Sequence, residues 1–402
     1  MRQRFGACGL RNTDKAPASL ARVTIADLTR NAVEVLPAGG LEAKLKLGRP
    51  LRVKLGIDVT SPDIHVGRAI PLQRMRAFQD AGHIGVLIIG DYTTRIGDPS
   101  GRSAERPILT DEEIDANART YLEQAMVVLD RERTEVRFNG EWLSKLSFAD
   151  VVRLTRTITV ARLLERDDFA KRMAAQQPVS VSELLYPLMQ AYDSVAVEAD
   201  VELGGTDQLY NLLTGREVME HYGLAPQVVL TTPLLLSWDG EKMSSSVGNN
   251  IPLTAPADEI FGRTMRIPDS MLADWWRLVA DCEAPAVEAM ESKLALARWL
   301  VTRSHGEDAG MAAEEHFTRV VRNREAPAVI SEIELPDGDP VHVPALLVAS
   351  FGVGSTSEAR RLLAQGGVKL DGEPFAEVDA ARSALTGSLL QVGKRRFGRL
   401  AG

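Results

Sequence analysis

Three groups of side chains in this 402-residue sequence have types and spacings that could do chemistry. The first is Asp58-Val59-Thr60-Ser61-Pro62-Asp63-Ile64-His65-Val66-Gly67-Arg68, a polar turn that leads from a strand end into the opening of a helix. Free backbone N–H groups and the helix dipole favour an anion at such a mouth, so phosphate is the ligand it suits. An ordinary solvent-facing cap would use the same residues. The second group, Trp238-Asp239-Gly240-Glu241-Lys242-Met243-Ser244-Ser245-Ser246, is a small-residue loop with one lysine. Closed over a nucleotide, Lys242 would supply charge and the serine hydroxyls hydrogen bonds; left open, it is a mobile surface loop. In the third group Tyr186, Gln190 and Asp193 are four and three residues apart and share one helix face. An aromatic, an amide and a carboxylate suit a small zwitterionic ligand with a polar tip, although a solvated polar stripe would have the same spacing.

Those groups need elements to hold them. Leu51 to Ile57 has the aliphatic and β-branched composition of a buried strand, and Leu72, Met75 and Phe78 give helical periodicity to the segment after Arg68. His83 to Gly90 is a continuous apolar run, expected for a central parallel strand covered on both faces. It feeds into Asp91-Tyr92-Thr93-Thr94-Arg95-Ile96-Gly97-Asp98-Pro99-Ser100-Gly101-Arg102, at the carboxyl end where open α/β sheets form ligand crevices. Thr110 with Glu113, and Ser180 with Glu183, have capping-box spacing and open two helices, the second containing Pro187. Glu135 to Phe138 and Val228 to Leu230 are strand candidates, and Trp142 to Arg172 reads as short helices inserted between core units. Val201 to Leu203, then Gly204-Gly205-Thr206-Asp207-Gln208 and a helix from Leu209 to His221, repeat the strand, glycine turn, helix order.

Composition sets the class: 45% hydrophobic and 25% charged residues with a formal net charge of −8 describe an ordinary globular chain long enough for two or three domains. Cys8 and Cys282 offer no disulfide framework or metal knuckle, and Cys282 reads as a buried thiol on a helix face with Leu272, Trp275 and Val279, so a reduced, cytoplasmic setting is expected. No apolar run approaches the ~18 residues of a membrane span. Arg2, Arg4, Arg11 and Arg22 faintly resemble a transit peptide, and the start, Met1 to Val23, reads as disordered or loosely docked within an N-terminal extension over residues 1–50. Residues 256–326 are helical throughout, 327–340 have linker composition around Pro336-Asp337-Gly338-Asp339-Pro340, and 341–402 form a small last module. In it Ser355 and Glu358 cap a helix, Asp371-Gly372 marks a hairpin turn, and Arg360, Arg361, Lys369, Lys394, Arg395, Arg396 and Arg399 are concentrated. Two separated basic clusters in so small a module favour a phosphate-backbone surface over scattered solvated charge.

Taken together, the motifs resemble the tyrosyl-tRNA synthetases, particularly the bacterial branch with a C-terminal S4-like RNA-binding module. His65-Val66-Gly67-Arg68 resembles the class I "HIGH" signature and Lys242 to Ser246 resembles "KMSKS", with Ile96 to Arg102, Tyr186 to Asp193 and Gly204 to Gln208 between them. Each motif is degenerate, but their order and spacing are specific, and the resemblance covers nearly everything after residue 50. It implies an α/β architecture: a Rossmann-like parallel-sheet catalytic domain over 51–255 with a helical insertion, an α-helical anticodon-side domain over 256–326, and an α+β S4-like domain over 341–402. It also implies joining of L-tyrosine to ATP, accompanied by Mg2+ and with no prosthetic group, followed by transfer to tRNA(Tyr) by a homodimer.

By similarity, His65, Arg68, Thr60 and Lys242 address the phosphates. Asp58, Gly67, Asp207, Gln208, Ser244, Ser245 and Ser246 complete the ATP site. Thr93, Asp98, Tyr186 and Gln190 surround the amino acid, and Asp193 accepts its phenolic hydroxyl. The sequence departs from the family pattern where Arg68 replaces a histidine, Ser245 a lysine and Lys54 a tyrosine. A tryptophan-charging relative, or a synthetase-derived RNA-binding protein without charging activity, are the competing expectations.

Overall fold

The computed structural model describes residues 23–100, 109–245, 247–323, 330–393 and 396–402. Apolar, β-branched segments form a six-stranded sheet from β1 (Glu34–Leu36), β2 (Arg52–Ile57), β3 (Ile84–Ile89), β4 (Thr134–Phe138), β5 (Val201–Gly205) and β6 (Val228–Thr232). Its order is β1-β6-β5-β2-β3-β4, with every neighbouring pair parallel except β1 against β6. Because β2 runs to β3 and β4 on one side and lies beside β5 and β6 on the other, the connections diverge between β2 and β5. In a parallel sheet that divergence opens a crevice at the carboxyl ends of the strands.

Four helices bear on the crevice: α1 (Val66–Asp80), α2 (Asp111–Val128), α3 (Val181–Ala196) and α4 (Leu209–His221). Both capping boxes read from the sequence are present, Thr110 with Glu113 and Ser180 with Glu183. Burial of Leu72, Met75 and Phe78 of α1 against Val53, Leu87 and Tyr121 holds helix and sheet in one core.

Several expectations give way. Residues 23–50, expected as part of an N-terminal extension, belong to the core: Thr24 caps a short helix, β1 pairs with β6, and Leu28 and Leu41 are buried. Three strand residues, Glu-Val-Leu, are too few to show a period, which is why the sequence hid them. Residues 1–22, with their arginines, lie outside the described residues.

The helical stretch after 256 is not one body either. Described residues up to Pro256 form a compact unit with Arg263–Leu296, whereas Ala257–Gly262 group with Ala297 onward. Nor is 327–340 wholly a linker. β7 (Glu332–Glu334) is a strand, and Leu335 after it is buried. Cys282 lies past the helix Leu272–Val279, half-buried and disulfide-bonded, so the reading of a free buried thiol does not hold; Cys8 lies outside the described residues.

The C-terminal sheet contains β7, β9 (Val368–Leu370), β10 (Glu373–Pro374), β12 (Leu389–Val392) and β13 (Arg396–Ala401), in the order β10-β9-β12-β13-β7. A separate pair joins β8 (Val341–His342) to β11 (Asp379–Ala380). Asp371 and Gly372 both have positive φ, 49° and 91°, as a two-residue turn between β9 and β10 requires. The helices Val343–Phe351 and Thr356–Ala364 cover a core of Leu347, Leu363, Leu390 and Leu400.

Candidate active site

A cavity of about 540 Å³ lies at the carboxyl ends of the parallel strands. The residues following β2, β3, β4, β5 and β6 (Asp58, Gly90, Asn139, Asp207 and Pro233) all line it. So do Thr60, His65, Gly67, Arg68, Thr93, Asp98, Tyr186, Gln190, Asp193, Gln208, Lys242, Ser244 and Ser245. The sites read from separate stretches of sequence therefore meet in one chamber; Ser246 lies outside the described residues.

At one side the phosphate-type groups gather. His65 is the N-cap of α1, and its Nδ1 accepts from the Arg68 amide at 3.3 Å. With Nδ1 an acceptor, the neutral ring carries its proton on Nε2 as a free donor. Burial, followed by the charges of Arg68 and Lys242, pushes the imidazole down to about 3, so it is neutral at physiological pH. Glycine at 67 leaves the imidazole room, since a Cβ there would lie only 3.2 Å from the ring, a tight contact. The Val66 amide donates to the Ile251 carbonyl at 2.9 Å, tying the helix mouth to the chain beyond the lysine loop.

That loop is itself pinned. Lys242 Nζ lies 2.5 Å from Asp207 Oδ2. Asn249 accepts from the Ser244 amide at 2.8 Å and donates to Asp239 at 2.9 Å, while Asn250 donates to Ser245 Oγ at 3.3 Å. Neither asparagine stood out in sequence.

The other side is a polar floor. Asp193, 3% exposed, accepts from Trp142 Nε1 at 2.8 Å and Asn139 Nδ2 at 3.3 Å. Burial, resisted by Lys54, Trp142 and Asn139, pushes its carboxyl up from 3.8 to about 7. Asn139 also donates to Thr93 Oγ1 at 3.0 Å, and Thr93 donates to Asp58 at 2.8 Å. Tyr186 completes the row, donating to the second Asp58 oxygen at 3.0 Å. Gly90 is needed there, because its Cβ would come within 2.3 Å of Asp58 and 2.4 Å of Thr93. Asp58, expected among the ATP groups, thus has its carboxylate among the residues expected for the amino acid.

Beside them Gln208 donates to Asp98 at 2.7 Å, so this residue too is engaged with the amino-acid group. Buried Asn211 donates to Gln190 Oε1 at 3.1 Å and Gln208 Oε1 at 3.0 Å, while its own Oδ1 accepts from buried Arg166 at 2.9 Å. Since arginine only donates, Arg166 fixes which way the Asn211 amide points. Sequence reading passed over Asn139, Trp142, Arg166 and Asn211. Asn139 was within reach, standing at the carboxyl end of a strand in an open parallel sheet.

Comparison with known proteins agrees with this architecture. Residues 46–321 match the family model described as tRNA synthetases class I (W and Y). The tyrosine–tRNA ligase of Thermotoga maritima is 46% identical over 93% of this chain and 96% of its own length; that of Syntrophotalea carbinolica is 46% identical over 94% and 97%. The chain belongs to the tyrosyl-tRNA synthetase family. Its fold is also that of the Archaeoglobus fulgidus tyrosyl-tRNA synthetase solved with L-tyrosine, with a TM-score of 0.57 and 23% identity over 72% of this chain and 98% of that one. The mitochondrial tyrosyl-tRNA synthetase of Coccidioides posadasii gives 0.58 and 21% over 72% and 90%.

The synthetase's three departures have distinct surroundings. Lys54 is fully buried, donating to Glu202 at 2.7 Å, Ser194 at 2.7 Å and the Gln190 carbonyl at 2.9 Å. With its three ammonium protons directed to these acceptors, it supports the helix carrying Gln190 from behind. Ser245 is held by Asn250 in the loop. Arg68 donates to the Tyr121 hydroxyl at 3.0 Å. Burial pulls its pKa down, but Tyr121, Asp58 and Asp207 outweigh that effect and raise it.

Proposed function

We propose that this chain is a tyrosine–tRNA ligase that activates L-tyrosine with ATP and passes the tyrosyl group to the 3′-terminal adenosine of tRNA(Tyr). The observation that carries the reading is Asp193, an acceptor held by Trp142 and Asn139 at the floor of the cavity. A buried carboxylate near its own pKa at neutral pH needs a donor from the ligand, and a phenolic hydroxyl is that donor. Tyrosine-dependent exchange of labelled pyrophosphate into ATP tests the reading.

In the first step a carboxylate oxygen of tyrosine attacks the α-phosphorus, forming a C–O–P linkage as the bond to the β-phosphate oxygen breaks and pyrophosphate leaves with the electron pair. No enzyme nucleophile is consumed, so the protein's contribution is alignment and charge. His65 donates Nε2–H to a phosphate oxygen without changing protonation. Lys242 exchanges Asp207 for the leaving pyrophosphate, and Arg68 faces it from α1. Asp98 and Gln190, oriented through Gln208 and Asn211, receive the α-ammonium group. Mg2+ enters as part of the ATP complex. Among the described residues no cluster of three His, Cys, Asp or Glu side chains could hold a metal of its own.

Transfer needs a grip on tRNA, which we assign to the C-terminal module. Arg360 and Arg361 are exposed on one helix, and Lys369 and Arg399 are exposed on the same face of the sheet through the pairings Lys369↔Gln391 and Gln391↔Phe397. Arg396 is exposed on β13, while Lys394 and Arg395 lie outside the described residues. Deleting the chain from Ser331 onward is expected to lower kcat/KM for tRNA charging by at least about tenfold and leave pyrophosphate exchange within about twofold. Equal losses in the two assays would contradict a separate tRNA-binding role.

The enzyme is proposed to work as a cytoplasmic homodimer. Phe148, Val152, Val160, Met173 and Val181, all exposed and within or bordering the helical insertion, supply apolar surface for a second copy. Among the described residues no helix is long and apolar enough to cross a membrane.

A further inference from the structure

Arg68 raises a positioning problem. An arginine on the first turn of a helix has many rotamers, and holding it in one of them costs side-chain entropy. Here it is not left to itself. Tyr121 reaches across from the third turn of α2, fully buried, with its hydroxyl 3.0 Å from one guanidinium nitrogen. The guanidinium carbon lies 5.8 Å from the centre of the Tyr121 ring. One guanidinium N–H is thereby used, leaving four of the five donors of the planar group. Both residues line the cavity, on which Lys242 also borders.

The two cations bear on a common point. The charges of Arg68 and Lys242 both act on the imidazole of His65, which stands at the helix mouth. The loop has serine at position 245, so among its described residues Lys242 is its only cation. A leaving pyrophosphate needs charge on both sides, and Arg68 is placed to supply the second.

We propose that Tyr121 is a positioning residue that locks the Arg68 guanidinium toward the cavity, making Arg68 the second cation of a pyrophosphate clamp whose first is Lys242. This rests on the synthetase reading above for its chemistry, but the clamp is a binding site that can be measured without tyrosine. The hydroxyl of Tyr121 touches no substrate; it acts through Arg68.

The test is calorimetric titration of the whole protein with magnesium pyrophosphate, comparing the parent, Tyr121→Phe, Arg68→Ala and the double variant. Tyr121→Phe keeps the ring and removes only the hydroxyl, so the fold is retained, and thermal unfolding checks this. It is expected to weaken pyrophosphate binding about fivefold, and Arg68→Ala about tenfold or more, the scale of a hydrogen bond to a charged group. The double variant should bind like Arg68→Ala alone, because the hydroxyl has nothing left to orient. Arg68→Lys, which keeps the charge but lacks the fork, should fall between parent and Arg68→Ala.

Parent-like binding by Tyr121→Phe, additive losses in the double variant, or no pyrophosphate binding by the parent would each overturn the proposal. Tyrosine-dependent exchange by the parent, run in parallel, separates the two readings. Clamp behaviour without exchange would sink tyrosine activation and leave the clamp standing. Exchange with an indifferent Tyr121→Phe would do the reverse.

Discussion

Asp193→Ala is expected to lower kcat/KM for tyrosine activation by about two to three orders of magnitude, and to erase most of the preference for tyrosine over phenylalanine. The carboxylate is buried, and Trp142 Nε1 and Asn139 Nδ2 fix its direction, so no water can readily replace it as acceptor for the phenol. Its titration gives the prediction a second reading. Because the folded pKa is about 7 against an ordinary 3.8, the carboxyl is increasingly ionised as pH rises through 7, and the KM for tyrosine should fall over that range. Asp193→Asn should flatten the profile.

The effect on stability has the opposite sense. A raised folded pKa stabilises the fold fully below the ordinary value, and that contribution is lost as pH rises through about 7. Above neutrality Asp193→Asn should therefore unfold at a higher temperature than the parent while activating tyrosine poorly. A variant with near-parental activation would refute the phenol assignment.

Lys242→Ala is the second large expectation. Removing a preorganised charge from a leaving group costs ~10²- to 10³-fold in rate, so kcat for exchange should fall by that amount with the KM for tyrosine nearly unchanged. Stability should hardly move. The Lys242–Asp207 pair is only half withdrawn from water on the lysine side, and exposed pairs contribute little. A rise in the tyrosine KM instead, or a large drop in melting temperature, would place Lys242 in the structure of the amino-acid pocket and contradict its phosphate role.

Much of the sheet was legible because its signals are local. Ile84 to Ile89 is apolar on every residue, and the caps at Thr110 and Ser180 lie within three residues of their glutamates. Many of the side chains that line the cavity also stood in legible places, after a strand as Asp58 does or along one helix face as Tyr186, Gln190 and Asp193 do. What stayed hidden depends on long-range pairing. Trp142 and Asn139 meet Asp193 across more than fifty residues, and Arg166 orients Asn211 across forty-five. Nothing in the local pattern of either segment announces those partners.

The same reasoning explains the boundaries. Glu34 to Leu36 and Glu332 to Glu334 are three-residue strands whose only evidence is the neighbour each one pairs with, β6 and β13 respectively. A short charged strand at a sheet edge has the composition of a loop, so the extension and the linker were both drawn too long. Arg68 is the reverse case. Its departure from the family pattern was visible in sequence, while the hydroxyl that gives it a fixed direction belongs to Tyr121, fifty-three residues away.

The most direct measurement is exchange of labelled pyrophosphate into ATP by the full-length protein, with tyrosine, tryptophan and phenylalanine supplied in turn. Exchange with tyrosine at least about a hundredfold above that with either of the others is the expected result. Exchange supported by tryptophan and not by tyrosine, or by none of the three in a protein that still binds tRNA, would contradict the assignment.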